Sequence, residues 1–300
     1  MVKYLLDKHG QLRVEQWTVA PAIYFDHWAL RDISEDATLR RRFTKALVSR
    51  GGTLMLSWLN LVEFTKVTDA SQAHAAEALV EDLLPNVFFF EVNPFTVIEA
   101  EDALLAGADP FPPHADTQFL SAFTALRPDS LRPFTAKNLF TIPQESGLHP
   151  RMDALADTVV ERVDALRTVL LSDAEFESQV RRLPKGHPIQ HGTRYVLREL
   201  VRPALVDQSI KFSRNHSIDL IHSVVPLAYC DIVLLDKHWK AQAEKVRERV
   251  AAANMTFPVA KVFSGKADEI SQFLALMESD VQPGNAPDRQ QPASPPVAGR

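Results

Sequence analysis

Cysteine is almost absent: the 300 residues contain one, Cys230. A lone thiol excludes an intrachain disulfide and any zinc site built on cysteines, which fits a reducing compartment. Cys230 stands just before a strand-like run and reads as buried packing. No uninterrupted apolar run approaches the ~18 residues of a membrane span. The opening MVKYLLDKHGQLRVEQW lacks the basic start, apolar middle and small-residue cleavage site of a signal peptide. The expectation is a cytoplasmic protein with no membrane partner. Glycine-rich phosphate loops, a G-x-S-x-G elbow and paired cysteines are missing too, and RGG at 50–52 reads as a helix stop. The formal charge of -5 gives no general attraction to nucleic acid. Such a partner would have to be held by a local basic patch.

What is present is the composition of a soluble globular protein, 46% hydrophobic and 24% charged, with length for one large domain or two modest ones. Strand-like and helix-like segments alternate, which predicts an α/β fold of three layers, α/β/α, around a central parallel sheet. AIYFD (22–26), TLMLSW (53–58), VFFFEV (87–92), DIVLLD (231–236) and AKVFS (260–264) are the strand candidates. Helices are expected over 38–50, from Leu59 onward, over 69–85 with Asp69 as cap, over 94–105 starting on proline, and over 217–229, 238–252 and 267–278. Between 106 and 210 the alternation gives way to proline-rich loops and amphipathic helices such as 151–171, which reads as a helical insertion. The resulting plan is an extension over 1–21 holding a short hairpin or edge strand, a sheet domain in two parts (22–105 and 211–280), the insertion (106–210), and a disordered tail (281–300).

Four acids fall at one edge of this plan. A helix that precedes a strand of a parallel sheet runs opposite to it, so the start of the 217–229 helix lies near the strand's carboxyl end. Asp219 should therefore meet Asp236. Asp26 ends the first strand and Glu63 lies in the opening turns of the next helix, so both point to the same edge, where doubly wound sheets bind ligands. Asp231 begins its strand, roughly 16 Å away at about 3.3 Å per residue, and reads as structural. Two unit charges 4 Å apart repel by roughly 4 kcal/mol at an effective dielectric near 20, so four clustered carboxylates call for a cation. All-oxygen ligands select Mg²⁺ or Mn²⁺, which can activate water and clamp a phosphate during in-line displacement. The inferred chemistry is phosphodiester hydrolysis.

The stretches AIYFDHW, LSWLNLVEF and IDLIHSVVPLAYCDIVLLDKHW, with a closing KVFS strand and helix, resemble the PIN domain family of metal-dependent ribonucleases. The likeness covers roughly 20–105 and 211–280. It implies that Asp26, Glu63, Asp219 and Asp236 hold the metal and that RNA is the substrate, and it makes a homodimer plausible. One departure is that the small polar residue common shortly before the last acid is replaced by Leu234 and Leu235. A non-catalytic PIN-like module, binding nucleic acid or a protein regulator through the insertion and the tail, is the alternative.

Each residue also has a plainer reading. Asp26 and Asp236 are placed to cap helices, Glu63 is favoured by a helix dipole, and Ser217 competes with Asp219 as a cap. Asn60, His222 and His238 lie near the edge and would suit a water or a phosphate, as would Lys211 and Arg214, but lone polar residues are commonly satisfied locally. His187 and His191 are separated as a helical zinc pair would be, yet the surrounding glycine and proline break that helix. Arg181, Arg182, Lys185, Arg194, Arg198, Arg202, Lys211 and Arg214 are opposed in their window only by Glu199 and Asp207, giving either a grip for phosphates or a solvated face. Arg40, Arg41, Arg42 and Lys45 pose the same choice. Aspartyl-nucleophile phosphatases need a second acid two residues after the first, and Trp28 occupies that position.

Overall fold

The computed structural model describes residues 1–6, 12–65, 70–105, 114–117, 136, 139–140, 148–183, 192–255 and 257–279. Asp69, Lys185, His187, His191 and the tail lie outside these residues. Strands β1 (Val2–Leu6) and β2 (Leu12–Gln16) pair antiparallel as a separate two-stranded sheet. Gln16 ties this hairpin to the rest, its amide accepting from the Phe89 N–H at 2.8 Å and donating to the Phe89 carbonyl at 3.3 Å.

The main sheet contains β3 (Ala22–Phe25), β4 (Thr53–Leu56), β5 (Val87–Phe89), β6 (Ile232–Leu234) and β7 (Lys261–Phe263), all parallel, in the order β5-β4-β3-β6-β7. Apolar runs without alternation form these strands because both faces are covered. Apart from exposed Lys261, every strand residue is buried. Asp231 accepts from the Ala22 N–H at 2.7 Å and so fastens the start of β6 to the start of β3.

Eleven helices are present among the described residues: α1 (His27–Glu35), α2 (Ala37–Ser49), α3 (Trp58–Thr65), α4 (Ala70–Leu83), α5 (Pro94–Leu105), α6 (Leu148–Ser172), α7 (Ala174–Arg181), α8 (Gly192–Val206), α9 (Arg214–Tyr229), α10 (Lys237–Ala252) and α11 (Ala267–Glu278). Gly51, at φ +62°, stops α2 in the left-handed region where glycine is unstrained. Successive strand residues face opposite sides of a sheet, and β3 shows what each side meets. The Phe25 ring packs on Phe43 of α2 and Phe273 of α11, whereas Tyr24 faces His222 of α9. Helices α2 and α11 therefore lie on one face and α9 on the other.

Helices α6 and α8, from the stretch read as an insertion, contact α9, and their buried residues, among them Val159, Val163, Val196 and Leu200, join the same core as the sheet. Strand order reverses between β3 and β6, whose carboxyl ends are Phe25 and Leu234. The crevice beyond such a reversal is the place where open α/β sheets receive ligands.

Candidate metal centre

Asp26 comes first after β3, and its N–H donates to the Leu234 carbonyl at 3.0 Å, so the ladder continues one residue past the strand. Its Oδ1 accepts from the His27 N–H at 2.6 Å and caps α1. The plainer capping role is thus real, and it also fixes the carboxylate over the crevice. Glu63 projects from α3, and its Oε2 lies 2.9 Å from Nε2 of His222. Nδ1 of the same ring lies 3.9 Å from Oδ1 of Asp26. Ligand atoms of Asp26, Glu63 and His222 all fall within 4.8 Å of one another.

Asp219, one turn before His222 on α9, belongs to the same electrostatic neighbourhood. Burial raises its carboxyl above the usual range, with repulsion from Asp236 and Glu63 adding to this while His222 and Trp239 oppose it. Asp236 caps α10, accepting from the Trp239 N–H at 2.8 Å, and is half-buried. The carboxylates of Asp219 and Asp236, both expected among the ligands, lie outside the group of mutually close ligand atoms, in which His222 stands instead.

Burial pushes the Asp26 carboxyl up to about 7, and repulsion from Glu63 and Asp219 adds to this against the attraction of His222. Burial pulls His222 the other way, but Glu63, Asp26 and Asp219 outweigh it and raise the imidazole to about 9. A cluster of carboxylates is therefore held together by one imidazolium. Oxygen donors on Asp26, Glu63 and Asp219 fit a hard divalent ion, and burial first, with repulsion from Glu63 and Asp219 second, works against ionisation of Asp26.

Of the four side chains expected to face a substrate, Lys211 is exposed and Arg214 is half-exposed, but Asn60 and His222 are buried, at 0% and 1% exposure. Asn60 accepts from the Ser57 N–H at 3.0 Å and donates to the Phe25 carbonyl at 2.9 Å. Both buried residues serve the interior of the site rather than its surface. His238 remains exposed on α10, its ring 6.3 Å from that of His216. His27 was not singled out from the sequence, although it adjoins Asp26. Its ring meets Phe64 edge-on at 4.7 Å, burial lowers its pKa, and its Nε2 is buried without a hydrogen-bond partner among the described residues.

The basic stretch is largely neutralised by acids from elsewhere in the chain. Arg194 meets Asp102 at 2.6 Å, Arg214 meets Asp157 at 2.7 Å, and Arg181 meets Glu177 at 2.9 Å. On α2, Arg42 pairs with Glu278 at 2.7 Å and Arg40 with Asp82. Counting charge within a sequence window misses such partners. Among the described residues of that window, Arg181, Arg194 and Arg214 are each engaged by an acid.

Fold and site together define an α/β protein with a carboxylate cluster at the switch point of a parallel sheet. No family model, no curated protein and no solved structure matches the chain. Among the described residues no helix is long and apolar enough to cross a membrane.

Proposed function

We propose that this chain is a PIN-like endonuclease, dependent on Mg²⁺ or Mn²⁺, that hydrolyses phosphodiester bonds in RNA. The observation that carries the reading is the meeting of Asp26, Glu63 and His222, from β3, α3 and α9, at the carboxyl edge where strand order reverses, with Asp219 close enough to act on them electrostatically. Three separate segments bring acids to one crevice at a cost in repulsion, and a bound cation removes that cost. Such an ion supplies the Lewis acidity that makes water a nucleophile at neutral pH and steadies charge on a phosphate. Asp26, Glu63 and Asp219 would hold it. Asp236 contributes negative potential beside Asp219 while capping α10.

The test separates metal binding from turnover. Calorimetric titration of Mn²⁺ is expected to show binding to the wild-type protein and its loss in Asp219→Asn. Asp26→Asn is expected to abolish cleavage of RNA with the fold intact, because asparagine still caps α1. Cleavage at the wild-type rate by purified Asp26→Asn would reject the reading.

A second reading, a non-catalytic module binding nucleic acid or a protein, is favoured by one observation. Leu234 is buried in the sheet where a polar group is common in the family, leaving no hydroxyl there to orient water. RNA binding that persists in chelator, together with no turnover in Mn²⁺, is its signature.

A further inference from the structure

The three elements that carry the clustered acids are joined beneath them by a closed polar ring. Asn60 of α3 has its Oδ1 committed to the Ser57 N–H at 3.0 Å and the Ser57 hydroxyl at 2.9 Å. Its amide nitrogen therefore faces the Tyr24 hydroxyl of β3, at 3.3 Å. Tyr24 in turn contacts Nδ1 of His222 on α9, and Nε2 of that imidazole reaches Glu63, back on α3, at 2.9 Å. Tyr24, Asn60 and His222 are 0%, 0% and 1% exposed, so no member of the ring is free to turn toward water.

The donor pattern follows from the form His222 takes. As a cation both nitrogens carry hydrogen; in the neutral tautomer whose Nδ1 accepts from Tyr24 the single N–H sits on Nε2. Nε2 lies 2.9 Å from Oε2 of Glu63, within ion-pair distance. The spacing is also suggestive: Asp26 lies two residues after Tyr24, Asp219 one turn before His222, and Glu63 one turn after Asn60, so each element bears one ring member and one acid.

We infer that Tyr24, Asn60 and His222 form a positioning ring that orients Glu63 and sets the spacing of Asp26, Glu63 and Asp219 for metal binding, with His222 acting on Glu63 rather than on substrate. This rests on the metal-dependent reading above. Partners of this kind around ligating groups are commonly worth about 10- to 100-fold in metal affinity or activity.

The experiment is Mn²⁺ titration calorimetry, paired with thermal unfolding, on wild type, Tyr24→Phe, His222→Gln and His222→Met. Tyr24→Phe keeps the ring packing and removes only the hydroxyl, and its Mn²⁺ affinity should fall about 10- to 100-fold. His222→Gln keeps an N–H donor for Glu63 and should stay within a few-fold of wild type, whereas His222→Met, with similar bulk and no donor, should fall as Tyr24→Phe does. Affinity should therefore follow the donor to Glu63 and not the melting temperature. Unchanged affinity in Tyr24→Phe and His222→Met, or losses that simply track melting temperature across the three variants, would overturn the inference alone. Absence of Mn²⁺ binding by the wild-type protein, with and without RNA present, would remove the metal-dependent reading and this inference with it.

Discussion

Glu199 of α8 is a fully buried carboxylate surrounded by guanidinium groups: Arg249 contacts it directly, Arg202 lies at 3.3 Å and Arg198 at 3.8 Å. At the sheet edge the proportions are reversed, with Asp26, Glu63 and Asp219 sharing the single imidazole of His222. Both clusters are polar, Glu199 fully buried and the edge acids partly so, at 18% and 20% exposure for Asp26 and Glu63. A carboxylate with its own cations behaves as a fastener, here joining α8 to α10. A group of carboxylates short of cations keeps a preference for one that arrives from outside. The balance of charge, rather than burial alone, distinguishes the structural cluster from the candidate site.

The contrast is most sharply broken by removing the acid from each cluster. Glu199→Ala leaves guanidiniums without their partner, and loss of one member of a buried ion pair costs about 3–5 kcal/mol. Because Arg202 and Arg249 retain some exposure, at 23% and 18%, the lower end, about 3 kcal/mol, is expected. A shift in the denaturant midpoint measures it, and an unshifted midpoint would show that the cluster is no fastener.

The sharing of one imidazole also gives the metal-free protein a pH dependence. His222 is raised to about 9 from an ordinary value of 6.5, so its stabilising contribution is complete below pH 6.5 and lost as pH rises through about 9. At 1.36 kcal/mol per unit this is on the order of 3 kcal/mol at most. Asp26, raised from 3.8 to about 7, acts in the same direction, since the folded state holds its proton more tightly across that interval. Thermal melts in chelator should fall between pH 6 and 9.5, fall less in His222→Gln, and recover at the alkaline end when Mn²⁺ is added. Equal slopes for wild type and variant would place the titration elsewhere.

Asp26→Asn should have the sign opposite to Glu199→Ala. It removes a repelled charge and retains the cap on α1, so the metal-free protein at pH 8 should gain roughly 1 kcal/mol, while Mn²⁺ no longer raises its melting temperature. A loss of stability on this substitution, seen in the same melts, would mean that the edge acids are already compensated.

Much of this arrangement was legible in the sequence, for reasons that also mark its limits. Apolar runs such as AIYF and VFF specify strands because a sheet covered on both faces requires them, and Pro94 and Gly51 mark helix ends through their backbone preferences. The meeting of Asp26 and Glu63 at the carboxyl edge followed from topology. His222 was read as a lone polar residue, although its place one turn after Asp219 puts the two on one helix face, and that spacing was the available signal. Tyr24 lies in the strand candidate AIYFD, and strand alternation sets it on the same side as Asp26. The pairing of Arg194 with Asp102 and of Arg249 with Glu199 joins residues far apart in the chain, so no local count of charge reveals it.

Asp236 tests the boundary between the two kinds of acid, because it caps a helix and also stands beside Asp219. Substituting asparagine separates these roles, since the amide oxygen still accepts from the Trp239 N–H while the charge is lost. Stability should stay within about 0.5 kcal/mol of wild type, the usual range for a change that breaks no cap or packing. Mn²⁺ affinity should fall by a smaller factor than in Asp26→Asn, because the Asp236 carboxylate lies outside the set of ligand atoms found within 4.8 Å of one another. A loss as large as that of Asp26→Asn would make Asp236 a direct ligand and enlarge the centre toward β6. An unchanged affinity would leave it a cap and confine the centre to β3, α3 and α9, the three elements that the Tyr24–His222 ring already ties together.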